Sequence, residues 1–351
     1  MQIEYQEACV GAPQFDEFLI HDRTRRDRIN AFMRVMFACG VVTKLVAEAI
    51  ENGELDSQYS SKIDQSPYSI AEEKTLKMLR TGLAHEGLDV LLDDEEGKSG
   101  NQNAKTVAVT DNVDGTQNFL MGLKGFFTNV IGVYEQGELD ISIVNDPSNE
   151  EMFVAMKGEG SWKFVRDRKT GEWKTPKRLH VSDRSIGDDK GGRPFIATDT
   201  KVYKEDPILV DVLCKLGYQV EPIPGSSKKI TLVASRPNFV GIFRSQQGPG
   251  NPDEHDIAAA EMIVSEAGCI TTSVHDGPVL TNERKFYDGF VYANQNAHRD
   301  ITTAAYLQEK LTRRPVQEGR LLTALEQADV AKKITLALMA LFYMDDMDIE
   351  G

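Results

Sequence analysis

The sequence predicts a mixed α/β (α+β) protein in two lobes. Its 351 residues are about twice an ordinary domain of roughly 150. Apolar residues recur at helical spacing in some segments. Other segments are short β-rich runs bounded by Gly, Pro and Asp, and several of those runs end directly in carboxylates.

Residues 28–52 read as a long amphipathic helix, because Ile29, Phe32, Met33, Met36, Phe37, Val41, Leu45 and Ile50 recur at helical steps. Residues 71–83 form a second helix with Leu76, Leu79 and Leu83 on one face. Residues 90–92 are a short strand ending in Asp93-Asp94-Glu95-Glu96, and 106–110 a strand running into Asp111. Strands follow at 129–134, 141–144 and 152–156, with turns at Gly137 and Asp146-Pro147. Residues 162–178 read as a basic hairpin around Thr170-Gly171, with seven Lys and Arg against Asp167 and Glu172. A loop at 187–192 marks a lobe boundary. Beyond it come a strand at 195–197, helices at 207–216 and 230–234, a strand at 239–243 and a helix at 257–267. Arg313-Arg314-Pro315 is expected to break the chain before a C-terminal helix over 321–342. That helix carries an apolar stripe of Leu321, Leu325, Ile334, Leu338, Leu341 and Phe342, suited to the protein's own core, a dimer mate or another partner. The expected division is 1–186, 187–311 with Asp256, and an appendage at 312–351.

The net charge of −15 argues against coating a nucleic-acid polymer, whose phosphates it repels. A small phosphorylated metabolite stays open, since a divalent cation inverts the local sign. No run approaches the roughly 20 apolar residues of a membrane span; residues 334–344 are about half that. The N-terminus lacks a signal-peptide pattern. Cys9, Cys39, Cys214 and Cys269 are scattered, which favours neither zinc nor disulfides. The expectation is a cytoplasmic protein with no membrane partner, with a homodimer left open.

The sharpest feature is Asp111-Asn112-Val113-Asp114-Gly115-Thr116-Gln117-Asn118-Phe119, two carboxylates three residues apart after a strand. Gly115 permits close backbone approach to a ligand, Thr116 brings a hydroxyl, and amides at a following helical turn suit a phosphate oxygen. Hard cations take oxygen ligands, so the pattern suits Mg²⁺ beside a phosphoryl group. By itself the pair also fits a helix cap beside a surface turn. Asp94-Glu95-Glu96 ends another strand. His255-Asp256 opens a helix whose first turn is Ile257-Ala258-Ala259-Ala260; alone, Asp256 reads as a cap. Together the three elements supply four carboxylates for a metal cluster.

These residues carry a resemblance. Asp111 to Phe119 resembles the DPxDGTxNF signature of the inositol monophosphatase family, and His255 to Gly268 its WDxAAxxxIVxEAG signature. Asp94-Glu95-Glu96 resembles its GEE element and Ser66 to Glu72 its SPVTxAD element, in the same order along the chain. The resemblance implies a layered α-β-α-β-α sugar-phosphatase fold, with the metal site between two lobes. It implies Mg²⁺-dependent, Li⁺-sensitive phosphomonoester hydrolysis with two or three ions. Carried over, Glu95, Asp111, Asp114, Asp256 and the Val113 carbonyl would bind metal. Glu72 and Thr116 would orient and deprotonate the attacking water, and the Gly115 and Thr116 amides would hold the phosphate. There are departures. Asn112 stands for Pro and His255 for Trp; Asp94 replaces Gly, adding a charge beside the site; Glu72 replaces Asp, a longer arm near the water.

Gly225-Ser226-Ser227-Lys228-Lys229 resembles the GSSxK element of the 3′(2′),5′-bisphosphate nucleotidase branch, and Pro249 to Asp256 the stretch that follows it. This makes Ser226, Ser227 and Lys229 expected substrate contacts and a bisphosphate nucleotide the leading substrate; the basic hairpin at 162–178 suits either a contact to its second phosphate or a solvated edge. Gln117-Asn118-Phe119 favours the inositol phosphate branch instead, and fructose 1,6-bisphosphate is a further alternative. In a different class stands a catalytically decayed member that binds metal or docks a partner.

Overall fold

In the computed structural model the described residues are 3–17, 19–55, 59–61, 67–95, 97–123, 125–188, 192–199, 203–204, 206–244, 254–274, 289–317 and 322–342. Ser66, Glu96, Pro249, Leu321 and the centre of the 187–192 loop lie outside them.

A single turn, α1 (Tyr5–Ala8), precedes the long helix α2 (Arg23–Glu51). α2 starts ahead of its apolar stripe because the Asp22 carboxylate accepts the Arg25 N–H at 3.1 Å. Its length and composition would pass for a membrane span, yet 78% of its apolar window is buried inside the protein. It packs along α3 (Ile70–His85) as a core helix. A short hairpin, β1 (Tyr59–Ser61) and β2 (Pro67–Ser69), leads into α3.

The strands that follow are β3 (Val90–Asp94), β4 (Gly97–Gly100), β5 (Thr106–Asp114), β6 (Thr128–Glu135), β7 (Glu138–Asp146), β8 (Glu151–Met156), β9 (Gly160–Val165) and β10 (Lys177–Arg178). They form one sheet in the order β10-β9-β8-β7-β6-β5-β3-β4. Only β3 and β5 pair in parallel. A short helix, α4 (Thr116–Leu120), joins β5 to β6. The expected basic hairpin is β9–β10.

Side-chain alternation gives this sheet two working faces. Ile131, Val133, Ile141 and Ile143 pack in the core with α2 and α3, and Asn145 on the same face donates to the Met36 carbonyl at 2.9 Å. The opposite face takes α7 (Glu254–Glu266): Ser142 meets Met262 Sδ at 3.1 Å, and Gly132 lies under Ala259. The small residues there let the helix approach the sheet closely.

A second sheet has the order β12-β11-β13-β15-β14, built from β11 (Phe195–Thr198), β12 (Gln219–Pro222), β13 (Phe239–Arg244), β14 (Ile270–Thr272) and β15 (Phe290–Ala293). Helices α5 (Pro207–Leu216), α8 (Gln295–Gln317) and α9 (Ala324–Phe342) accompany it. Helix α6 (Ser226–Ser235) is longer than the 230–234 segment expected and takes in Ser226 to Lys229 as its first turn.

The compact units differ from the division expected at residue 186. One comprises Met1–His180, Pro224–Thr231 and Pro252–Ala267; the other Val181–Ile223, Leu232–Asn251 and Gly268–Gly351. Asp256 therefore belongs to the first unit, because α7 lays its apolar side on β5–β9. The C-terminal helix is no appendage: Val330, Ala331, Ile334 and Leu338 are buried in the second unit's core with residues of α5 and α8. Arg313-Arg314-Pro315 does not break the chain, for α8 runs through to Gln317. A proline so near a helix end forfeits one hydrogen bond of the last turn.

Candidate metal centre

In a regular strand, residues three apart face opposite sides of the sheet. Asp111 and Asp114 do not, because β5 carries a bulge between them. Asp111 pairs with Val130 and Asp114 with Thr128, so two residues on β5, Asn112 and Val113, stand opposite the single Asn129 on β6. Both acids thereby share the face on which α7 lies, while Val113 turns into the core with α2 and α3. The bulge is pinned from that core side, where the Asn129 amide donates to the Asn112 carbonyl at 2.6 Å.

One carboxylate oxygen from each of Glu95, Asp111 and Asp256 lies within 4.8 Å of the others. Glu95 follows β3, Asp111 lies in β5 and Asp256 is in the first turn of α7. Asp111 is buried, with Oδ1 accepting the Val113 N–H at 2.9 Å, whereas Glu95 is exposed. Three like charges this close repel unless a cation lies among them. An all-oxygen donor set of this kind suits a hard cation such as Mg²⁺.

Asp114, the fourth carboxylate expected, is not among these three and is linked to Asp256 through Ser227. Its Oδ2 accepts the Ser227 N–H at 2.8 Å and the Thr128 hydroxyl at 3.2 Å. The Ser227 hydroxyl donates to the Asp256 carbonyl at 2.5 Å. Ser227 thus ties the β5 end to α7, a role its motif did not suggest. The Val113 carbonyl accepts the Thr116 hydroxyl at 3.0 Å.

Glu72 is buried and held at both carboxylate oxygens. Oε2 accepts the Ser69 N–H at 2.6 Å, completing a capping box at the start of α3. Oε1 lies 3.3 Å from the Thr116 hydroxyl. Gly115, at φ +86°, turns the chain from β5 into α4, and a side chain there would meet the Phe126 carbonyl at 2.5 Å. The Gly115–Thr116 amides therefore open α4 beside the acids.

The other expected contacts fall differently. Ser227 and Lys229 are 0% and 1% exposed, so neither presents a donor at the surface. Ser226 opens α6; its side chain lies outside the described residues. Asp94 adds no uncompensated charge, since Arg80 of α3 lies 3.4 Å from its Oδ2. Asp93 is engaged by Lys98 at 2.9 Å, with His255 Nε2 at 3.8 Å. Three of the seven hairpin cations are held in ion pairs, Lys163 by Glu151 at 2.6 Å, Arg166 by Glu150 at 3.9 Å and Lys174 by Asp167 at 3.5 Å, while Arg168, Lys169, Lys177 and Arg178 are exposed.

Fold and site together define a mixed α/β protein with an acidic group that could hold a metal ion, drawn from two strand ends and a helix start. The chain belongs to the inositol monophosphatase family, whose sequence model matches residues 31–313. An inositol-1-monophosphatase of Rhizobium meliloti (strain 1021) is 26% identical over 71% of this chain and 86% of its own length. A Nus factor SuhB of Pasteurella multocida (strain Pm70) is 28% identical over 30% of this chain, which spans only 36% of that relative. The crystal structure of the extragenic suppressor protein suhB from Bartonella henselae shares the fold, with a TM-score of 0.64 at 19% identity, over 79% of this chain and 98% of that one.

Proposed function

We propose that the chain is a Mg²⁺-dependent phosphomonoesterase acting on a small phosphorylated metabolite of the inositol phosphate kind. The observation that carries this is the convergence of Glu95, Asp111 and Asp256 within 4.8 Å, just before the turn that brings Thr116 within 3.3 Å of Glu72. Glu95, Asp111 and Asp256, with Asp114 and the Val113 carbonyl beside them, would hold the metal. Bound there, Mg²⁺ would acidify water, neutralise phosphate charge and stabilise the leaving alkoxide.

The chain's own groups divide the remaining work. The Thr116 hydroxyl donates to the Val113 carbonyl at 3.0 Å and its oxygen lies 3.3 Å from Glu72 Oε1, so the hydroxyl oxygen and Oε1 together would orient a water beside them. Glu72 Oε1 is the proton acceptor, because Oε2 already caps α3. The start of α4 at Gly115 directs backbone amides to the phosphate oxygens. Water and a phosphate ester give an alcohol and inorganic phosphate. Inhibition by Li⁺, implied by the resemblance, belongs to the same proposal.

A bisphosphate nucleotide needs a second cationic contact, and the burial of Lys229 speaks against the source its motif suggested. The resemblance of Gly225 to Lys229 to the nucleotidase branch keeps that substrate as the runner-up. Phosphate release from inositol 1-phosphate, fructose 1,6-bisphosphate and adenosine 3′,5′-bisphosphate, with Mg²⁺ and with chelator, tests both. Preference for the nucleotide overturns the inositol phosphate reading. No turnover on any member with Mg²⁺ favours the decayed, metal-binding alternative.

A further inference from the structure

Helix α6 begins at the support of the metal acids, through Ser227, and its next side chain is anchored elsewhere. The Lys228 ammonium pairs with Asp146 at the end of β7 and lies 3.5 Å from Glu151 Oε2 at the start of β8. The Lys228 and Asp146 side chains are 8% and 0% exposed. Asp146 is itself fixed, since Asn149 donates its backbone N–H to Oδ1 at 3.0 Å and its side-chain amide to Oδ2 at 2.8 Å. Lys163 closes the cluster on Glu151 at 2.6 Å, and the Lys163 and Lys228 ammoniums lie 5.3 Å and 5.7 Å from the Phe153 ring centroid. Two ammonium groups and two carboxylates balance.

A buried pair between groups already held on their own elements adds little net stability, and register is the best attested use of such a pair. Here it fixes one particular turn. Lys228 pins the start of α6 to the β7–β8 turn, and one residue earlier Ser227 grips Asp114 and the Asp256 backbone. We propose that Lys228 is a positioning residue for the metal centre, its pair with Asp146 holding α6 where Ser227 keeps Asp114 and Asp256 in the arrangement that accepts the cation. The inference rests on the metal-dependent reading above and adds a residue outside the acid set. In the GSSxK pattern Lys228 occupies the unspecified position, so no motif assigns it.

The test is Mn²⁺ binding, measured by titration with detection of the free ion, on the parent, Lys228→Met and Lys163→Met. Lys228→Met should weaken Mn²⁺ affinity about 10- to 100-fold, the range for outer partners of metal ligands. Lys163→Met opens the same cluster on the Glu151 side but leaves the Lys228–Asp146 pair and the Ser227 contacts in place, and should stay within about twofold of the parent. Parent-like affinity in Lys228→Met, or an equal loss in Lys163→Met, overturns the proposal. Should Lys228→Met not fold, the double variant Lys228→Met/Asp146→Asn leaves no buried charge unpaired at that contact. It is expected to show the same weakened affinity, and parent-like binding in it overturns the proposal. A parent chain that binds no Mn²⁺ overturns the metal reading and this inference together, a result distinct from a parent and a Lys228 variant that bind equally.

Discussion

Asp111→Asn should make the metal-free protein more stable while weakening its response to Mg²⁺. Two of the three close contacts in the acidic trio involve Asp111, with oxygens within 4.8 Å. At that distance a pair of unit charges repels by about 0.9 kcal/mol in bulk water and about 3.5 kcal/mol at an effective dielectric constant of 20. Asp111 is buried but Glu95 is exposed, which favours an intermediate of about 1–2 kcal/mol per pair, or about 2–4 kcal/mol in all. The isosteric amide keeps an oxygen to accept the Val113 N–H. In thermal melts with chelator, the variant should therefore unfold several degrees above the parent. With saturating Mg²⁺ the order should reverse, because the parent gains binding energy that the variant loses. A variant less stable than the parent in chelator, or equal Mg²⁺-induced shifts in both, refutes the repulsion argument.

Glu72→Gln should lower kcat about 10²- to 10⁴-fold with little change in KM, as for loss of a general base, measured by steady-state phosphate release. Gly115→Ala should cost about 1–3 kcal/mol and most activity, because the added methyl needs φ +86° and meets the Phe126 carbonyl; denaturant unfolding measures the first part. The hydrogen bond from Arg34 holds the Glu86 carboxyl below the usual carboxylate range. A depressed carboxyl stabilises the fold above its ordinary value of about 4.3, and that contribution is lost as pH falls through the lowered one. Arg34→Met should then lose about 1–2 kcal/mol near neutral pH and show a flatter acid limb, read from unfolding midpoints against pH.

What the sequence made legible and what it hid divide along physical lines. Helices α2, α3 and α7 and the strands around Asp111 announce themselves because burial periodicity is local. The acids at strand ends were visible for the same reason, since each follows an apolar run. The bulge was not visible, although Asp111 and Asp114 share a face only because of it; an extra residue in a strand has no composition of its own. The pairings of Arg80 with Asp94 and of Lys228 with Asp146 were hidden because they join separate elements. The motif around Lys229 suggested an exposed cation, and only its place in the buried first turn of α6 shows otherwise. Asp256 was assigned to the wrong unit because chain order carries no record that α7 returns to the first sheet.

The two departures nearest the site argue against decay when their surroundings are considered. A carboxylate that had lost its task would need neither a partner nor a fixed geometry. Asp94, an added charge, is met by Arg80 from a neighbouring helix, so the acidic trio does not carry it as a further repulsion. Glu72, an added methylene, caps α3 through one oxygen and reaches Thr116 with the other. The extra length lets a residue in the third position of the helix fold back to the Ser69 N–H and still direct its second oxygen toward the end of β5. The carboxylate proposed to direct the water is thereby anchored through its other oxygen, Oε2, to a helix cap, and moving the side chain would break that cap. An arrangement in which the longer residue is fixed at both oxygens is the kind of preorganisation that general-base chemistry requires.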